Sequence, residues 1–345
     1  MRVNRRTVVK LAGAALTLPV VGTAGAQDDE TTTETQPTDE TTQARPAVET
    51  VVAIRDEDRV PENLAVDGDG TLYFGITAGE VWAVSAEQTQ ETGLTLDDIE
   101  QVATLPGSAI GVEVGPDGTL YVASQADAGT GVWRVPRDGG DPGLFAAIPA
   151  ADGDQAFPND VLYDADDDRL LVTESFAGRV YEVPLDASDP ETAASVWVDA
   201  DALDTESFGA NGLALGPDGA VFVAVTRAAS DAGEDVGRLV RVPVAEDGSA
   251  GDATTYFEGP GIFGADGITT RDQDVYVAAN SLNEVVVVTP DQETTTLASG
   301  DDGLVFPSDV AFGTTDQQQD DLFVCNFANE NPTEGAILRT TVEDS

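Results

Sequence analysis

The chain has 345 residues, 64 of them acidic against 16 basic, with a formal net charge of −48, no histidine and a single cysteine. Such a charge excludes nucleic acid as a partner on electrostatic grounds. The missing histidines exclude a Ser-His-Asp triad, a Cys-His pair and a His-ligated zinc, which leaves carboxylate, amide, hydroxyl and carbonyl oxygens, the ligands of a hard cation such as calcium.

In chain order, Asn4-Arg5-Arg6-Thr7-Val8-Val9-Lys10, an apolar run from Leu11 to Val21 and the small residues Ala24-Gly25-Ala26 read as a twin-arginine signal peptide over residues 1–26. A run of roughly a dozen apolar residues is too short to span a bilayer, so export is expected rather than a stable membrane span. The mature protein is then secreted. Lys10, the only lysine, leaves with the signal, so the mature chain keeps 12 basic residues against 64 acidic and cannot form a Schiff base. Residues 27–46 are Thr, Glu, Asp, Gln and Pro with almost nothing apolar to bury, and are expected to form a disordered linker. Residues 47–345 form the folded domain, expected as a monomer. Acidity spread along the whole chain fits adaptation to molar salt, where self-repulsion is screened; a surface shaped for one cationic partner is the alternative.

From Glu49 onward the chain alternates short β-rich runs with Asp/Gly turns. Six hairpins follow one another: Asn63–Val66 with Thr71–Phe74, Gly111–Val114 with Thr119–Val122, Val161–Tyr163 with Leu170–Val172, Gly212–Leu215 with Val221–Val223, Gly267–Thr269 with Val275–Val277, and Val310–Phe312 with Leu322–Val324. A third strand follows each, such as Val81–Val84 or Ala336–Arg339, and a fourth follows all but the last. The N-terminal run Glu49–Ile54 has the character of that missing strand. Four-stranded units at a period of roughly 42 to 55 residues, with the first strand closing the last unit, define an all-β, six-bladed β-propeller. Asp67-Gly68-Asp69-Gly70, Gly115-Pro116-Asp117-Gly118 and Gly216-Pro217-Asp218-Gly219 read as hairpin turns, since they lack the spacing and terminal Glu of a calcium loop. Cys325, in an apolar run, reads as a small buried hydrophobe.

Just before each first strand the chain repeats a motif: Val60-Pro61-Glu62-Asn63, Phe157-Pro158-Asn159-Asp160, Phe208-Gly209-Ala210-Asn211, Phe263-Gly264-Ala265-Asp266 and Phe306-Pro307-Ser308-Asp309. The slot residues are Glu62, Ile110, Asn159, Asn211, Asp266 and Ser308. In a propeller they face the central channel near one mouth, where two carboxylates and two amides give a cation four protein oxygens. Each alone is an ordinary turn former. Their common register points to a shared centre. Phe157, Phe208, Phe263 and Phe306 either rim the mouth or pack between blades.

The pieces Pro61-Glu62-Asn63, Pro158-Asn159-Asp160, Asn211-Gly212-Leu213-Ala214, Asp266-Gly267 and Thr173-Glu174-Ser175-Phe176-Ala177-Gly178-Arg179 carry a resemblance to the senescence marker protein, gluconolactonase and luciferin-regenerating enzyme family of six-bladed propellers, and more distantly to paraoxonases and strictosidine synthase. It extends from about residue 49 to the C-terminus. The resemblance implies that Glu62, Asn211 and Asp266 are metal ligands and that Asn159 completes the site or contacts substrate. It also implies a divalent metal, calcium foremost, and hydrolysis of a lactone or similar small ester with Asp266 as the base. Paraoxonase-type histidines are absent. A binding or sensor propeller with a structural ion is the alternative, and an epimerase or carbon–carbon lyase on this scaffold also stays open.

Overall fold

The computed structural model describes residues 45–342 except 138–139, 151–154, 204, 206, 229–234 and 330. The expected signal peptide and nearly all of the expected linker lie outside the described residues. Strand pairing follows the sequence alternation. The first blade runs Pro61–Val66, Leu72–Ile76, Glu80–Val84 and Glu100–Thr104 in spatial order, each strand antiparallel to the last. Its first hairpin turns where Asp67 Oδ1 accepts the backbone N–H groups of Asp69 and Thr71, so the Asp-Gly run is a turn. Gly115 and Gly216 open equivalent turns, closed by Gly118 and Gly219.

Five sheets have four strands and the sixth has five. In the sixth, Glu49–Ile54 pairs antiparallel with Gly335–Thr341, in a register that sets Glu49 against Arg339 and Ile54 against Gly335. The expected closure of the ring by the N-terminal strand is present. One element went unread in the sequence: Leu94–Thr95 adds a short parallel strand outside Glu49–Ile54 and covers part of that sheet edge. All helical segments among the described residues are three-residue 3-10 turns. None is long and apolar enough to cross a membrane.

The core is divided by blade interface. Leu171, Val180 and Trp197 of blade three pack on Leu213, Val221 and Val240 of blade four; Val51, Val52, Phe323 and Ile337 pack on Leu64, Phe74 and Trp82 of blade one. The four remaining interfaces have their own clusters, so apolar burial runs around the ring without a break. Cys325 is fully buried in one of them, and burial pushes its thiol well above the usual range, as suits a packed hydrophobe.

The innermost strand is irregular in five blades. Ladder register slips between Pro61 and Leu64, Pro158 and Val161, Ala210 and Leu213, Ala265 and Ile268, and Pro307 and Asp309. Each slip is a bulge at the slot motif. A bulge takes a residue out of the ladder and re-aims its side chain, and here it does so where the inner strands begin.

Candidate active site at the channel axis

Of the six slot side chains, Asn159, Asn211, Asp266 and Ser308 are buried at 2, 3, 6 and 3% exposure, and Ile110 is buried too. Glu62 is partly buried. Asp266 is held by Asn280, whose Nδ2 donates to Oδ2 at 2.7 Å, and by the Asn211 side chain. Asn211 Nδ2 donates to Thr226 Oγ1 at 2.9 Å, and Asn159 Nδ2 donates to Ser175 Oγ at 3.0 Å. Both amide nitrogens thereby reach the residue just past the second strand of their own blade. Ser308 Oγ donates to the Glu62 carbonyl at 2.5 Å, so it links blade six to blade one.

The structure brings Glu62, Asn211 and Asp266 together; Asn159 sits in the equivalent place, and its bonds run to Ser175. Sequence reasoning missed the residue after each slot. Asp160 accepts backbone N–H groups from Val161 at 2.8 Å and from Leu213 of the next blade at 2.7 Å, and the Asn63 amide at 3.3 Å. Asp309 accepts from Leu64 N–H at 2.9 Å, and Asn63 accepts from Val112 N–H at 2.8 Å. In blades one, three and six this position therefore spans to a neighbouring blade. In blades two, four and five it is Gly111, Gly212 and Gly267. A Cβ on Gly267 would overlap the Asp309 carboxylate, and one on Gly212 would overlap the Asp266 carbonyl oxygen. The sequence signal was present one residue beyond the slot, where Asn or Asp stands in three blades and Gly in the other three.

Glu62, Asp160, Asp266 and Asp309 act on one another through a low-dielectric space. Burial, then Asp266, Asp309 and Asp160, raises Glu62 well above the usual carboxylate range. Burial, then Asp160, raises Asp309 likewise, although the Leu64 and Val310 N–H groups oppose it. Burial pushes Asp266 to about 7 against the bonds from Asn280 and Asn211. Asp160 reaches about 6 for the same reason, because three hydrogen bonds offset part of its desolvation. None of the leading influences on these four is a basic group.

Buried like charges without a counter-charge are unstable unless they bind protons or a cation. This donor set fits a divalent ion, with two carboxylates and two amides in the slots. Among the described residues no three His, Cys, Asp or Glu side chains form a ready metal cluster, so amide oxygens would have to complete the shell.

The chain is a six-bladed β-propeller with a polar centre at one mouth of its channel. Residues 50–84 match the model of the strictosidine synthase-like N-terminal region. Among solved structures it is similar to a gluconolactonase from Xanthomonas campestris, with a TM-score of 0.62 and 18% identity over 87% of this chain and 91% of that one. A putative gluconolactonase matches with a TM-score of 0.61 and 16% identity, over 88% of this chain and 96% of the other. An auxiliary nutrient binding protein from Bacteroides ovatus also reaches 0.61, at 12% identity, over 88% of this chain and 78% of that one. A comparison with curated protein sequences gave no match. At these identities the likeness concerns the fold, which hosts many functions.

Proposed function

We propose that the protein is a secreted, divalent-metal-dependent hydrolase of lactones or similar small esters, with its reacting centre at the channel axis. The observation that carries this is the convergence of the Glu62, Asp160, Asp266 and Asp309 carboxylates at one centre, Asp160 and Asp309 tied to neighbouring blades through Leu213 and Leu64 and Asp266 held by Asn280, with no basic group among the leading influences on them. Glu62, Asn159, Asn211 and Asp266 would hold the ion, calcium for preference. When bound there, it would supply Lewis-acid polarisation of the ester carbonyl and a more acidic water.

The chain's own groups supply the rest. Asp266, oriented by Asn280 and Asn211, takes a proton from a water as the water oxygen bonds to the carbonyl carbon. The same proton goes to the alkoxide oxygen when the ring C–O bond breaks. Asp160 and Asp309, tied to backbone N–H groups, hold the blades in register around the channel. The lowered proton affinity of a cation-bound carboxylate makes Asp266 a weak base, so carbonyl polarisation must carry much of the rate.

Purified mature protein is expected to hydrolyse members of a lactone panel, to lose that activity with a chelator and regain it with calcium, and to lose at least 100-fold in Asp266→Asn, on the order of a general-base contribution. Activity that survives both chelation and Asp266→Asn overturns the proposal. The cross-blade bonds of Asp160 and Asp309 favour a second reading, a ligand-binding propeller in which the ion is structural. It predicts a retained ion and no turnover on the same panel.

A further inference from the structure

Of the 12 phenylalanines in the chain, 6 stand at the end of the channel where the slot residues lie: Phe157, Phe176, Phe208, Phe263, Phe306 and Phe327. Their position follows from the ladders. Pro158 pairs with Glu174, Ala210 with Val225 and Pro307 with Asn326, so residues before the first strand and after the second share one end of the blade. Phe157 precedes Asn159 by two residues, at most about 7 Å of chain.

Phe157, Phe176 and Phe208 form a triad with ring centroids 5.1 to 5.9 Å apart. Arg227, whose N–H donates to the Phe208 carbonyl, lies over the Phe263 ring at 4.8 Å. Phe306 and Phe327 pair at 5.8 Å. The arc runs from blade three to blade six, and among the described residues blades one and two place no phenylalanine at this end.

The arc is built, not incidental. Glu174, 1% exposed, accepts the backbone N–H groups of Phe157 at 2.8 Å, Phe176 at 3.2 Å and Ala177 at 2.8 Å, so one buried carboxylate fixes the backbone at two of the phenylalanines, one before the first strand of the blade and one after the second. Phe306 is held at φ +51°, unfavourable for a bulky residue, while its N–H donates to Asn283 Oδ1 of the preceding blade at 2.7 Å. Phe176 stays 44% exposed, one of only two large hydrophobic side chains so open among the described residues. The exposed Phe176 ring is not isolated but packs on two others, which makes a continuous apolar face at this mouth.

We infer that the phenylalanine arc binds an apolar substituent of the ligand, so that the protein takes a lactone or ester bearing an alkyl or aryl group in preference to a bare polyhydroxylated ring. The ester group lies over the axial oxygens and the apolar chain along Phe176 and Phe208, with the buried Phe157 ring packed against both. This rests on the hydrolase reading for the identity of the reacting group; the apolar subsite itself is tested without turnover.

The probe is a series of five-membered lactams carrying hydrogen, butyl or octyl at the ring carbon next to nitrogen, titrated calorimetrically into the mature protein with calcium present. Each methylene placed on the rings should tighten binding about threefold, somewhat below the full transfer value. Phe176→Ala should weaken the octyl compound at least fivefold, leave the unsubstituted lactam unchanged and be rescued by Phe176→Leu. Affinity independent of chain length overturns the inference, as does a preference that survives both Phe176→Ala and Phe208→Ala. Matched lactones separate the two proposals. Chain-length-dependent lactam binding without lactone hydrolysis supports the arc and overturns the hydrolase, whereas hydrolysis of gluconolactone and octyl lactone at equal efficiency does the reverse.

Discussion

Glu113 is a carboxylate outside the slots that carries its own pH signature. Burial pushes it to about 7, against N–H bonds from Tyr163 at 3.0 Å and Val114 at 2.6 Å. Its folded value lies above the unfolded one, so between the two the native state binds more protons than the unfolded state. Stability is therefore favoured at low pH and falls as pH rises from about 4.5 to about 7. Glu113→Gln, whatever its offset from facing an amide to a backbone donor, should remove up to about 1.4 kcal/mol per pH unit of that slope. Urea unfolding at a series of pH values reads the difference; an unchanged slope refutes the assignment. Gly267 makes a second residue-scale prediction. Because a Cβ there overlaps the Asp309 carboxylate and Cα, Gly267→Ala should cost about 2 kcal/mol or more, while alanine at Gly143, where nothing lies within 4 Å, should cost little.

At the scale of strands, closure depends on Glu49–Ile54, whose Val51, Val52 and Ile54 are at most 1% exposed. Val52→Ala should lower unfolding free energy by about 2 kcal/mol, and Val196→Ala, at a site 47% exposed, by less than about 0.5. Equal losses would mean that the closing strand adds nothing special. The hairpins and the closing strand were legible in the sequence because period-two alternation between Asp/Gly turns is a local signal. Leu94–Thr95 was not, since two residues carry no periodicity and only the neighbouring strand edge selects them. The slot was legible as a repeat. What escaped was the bulge, because a bulge is defined by its partner strand; without it Asn63, Asp160 and Asp309 look like ordinary strand starts. Glu174 escaped for a related reason, since its partners Phe157 and Phe176 meet only after the strands pair.

For the whole molecule, charge decides the conditions under which the ring is stable. Sixty-four acidic residues against 16 basic ones leave a large excess of like charge that repels across the surface. Isolated exposed pairs such as Arg137 with Asp69, at 3.6 Å, do little to offset this. Raising salt to about 1 M shortens the screening length to about 3 Å. The unfolding midpoint should therefore rise steeply between about 0.1 and 1 M potassium chloride and then flatten, which a thermal melt series checks.

The pairing of Glu49 with Arg339 joins residues 290 positions apart. Such a contact is among the last a chain can make, since loop closure must precede any gain from it. Until then blade six shows a bare strand on one side and blade one lacks the wall against which Phe74 and Trp82 pack. A chain cut anywhere between its ends keeps those two surfaces open, and open strand edges pair with one another. The ring thus serves as a count of its own blades: only a chain with all six can pair Glu49–Ile54 with Gly335–Thr341 and leave each sheet just its outer edge.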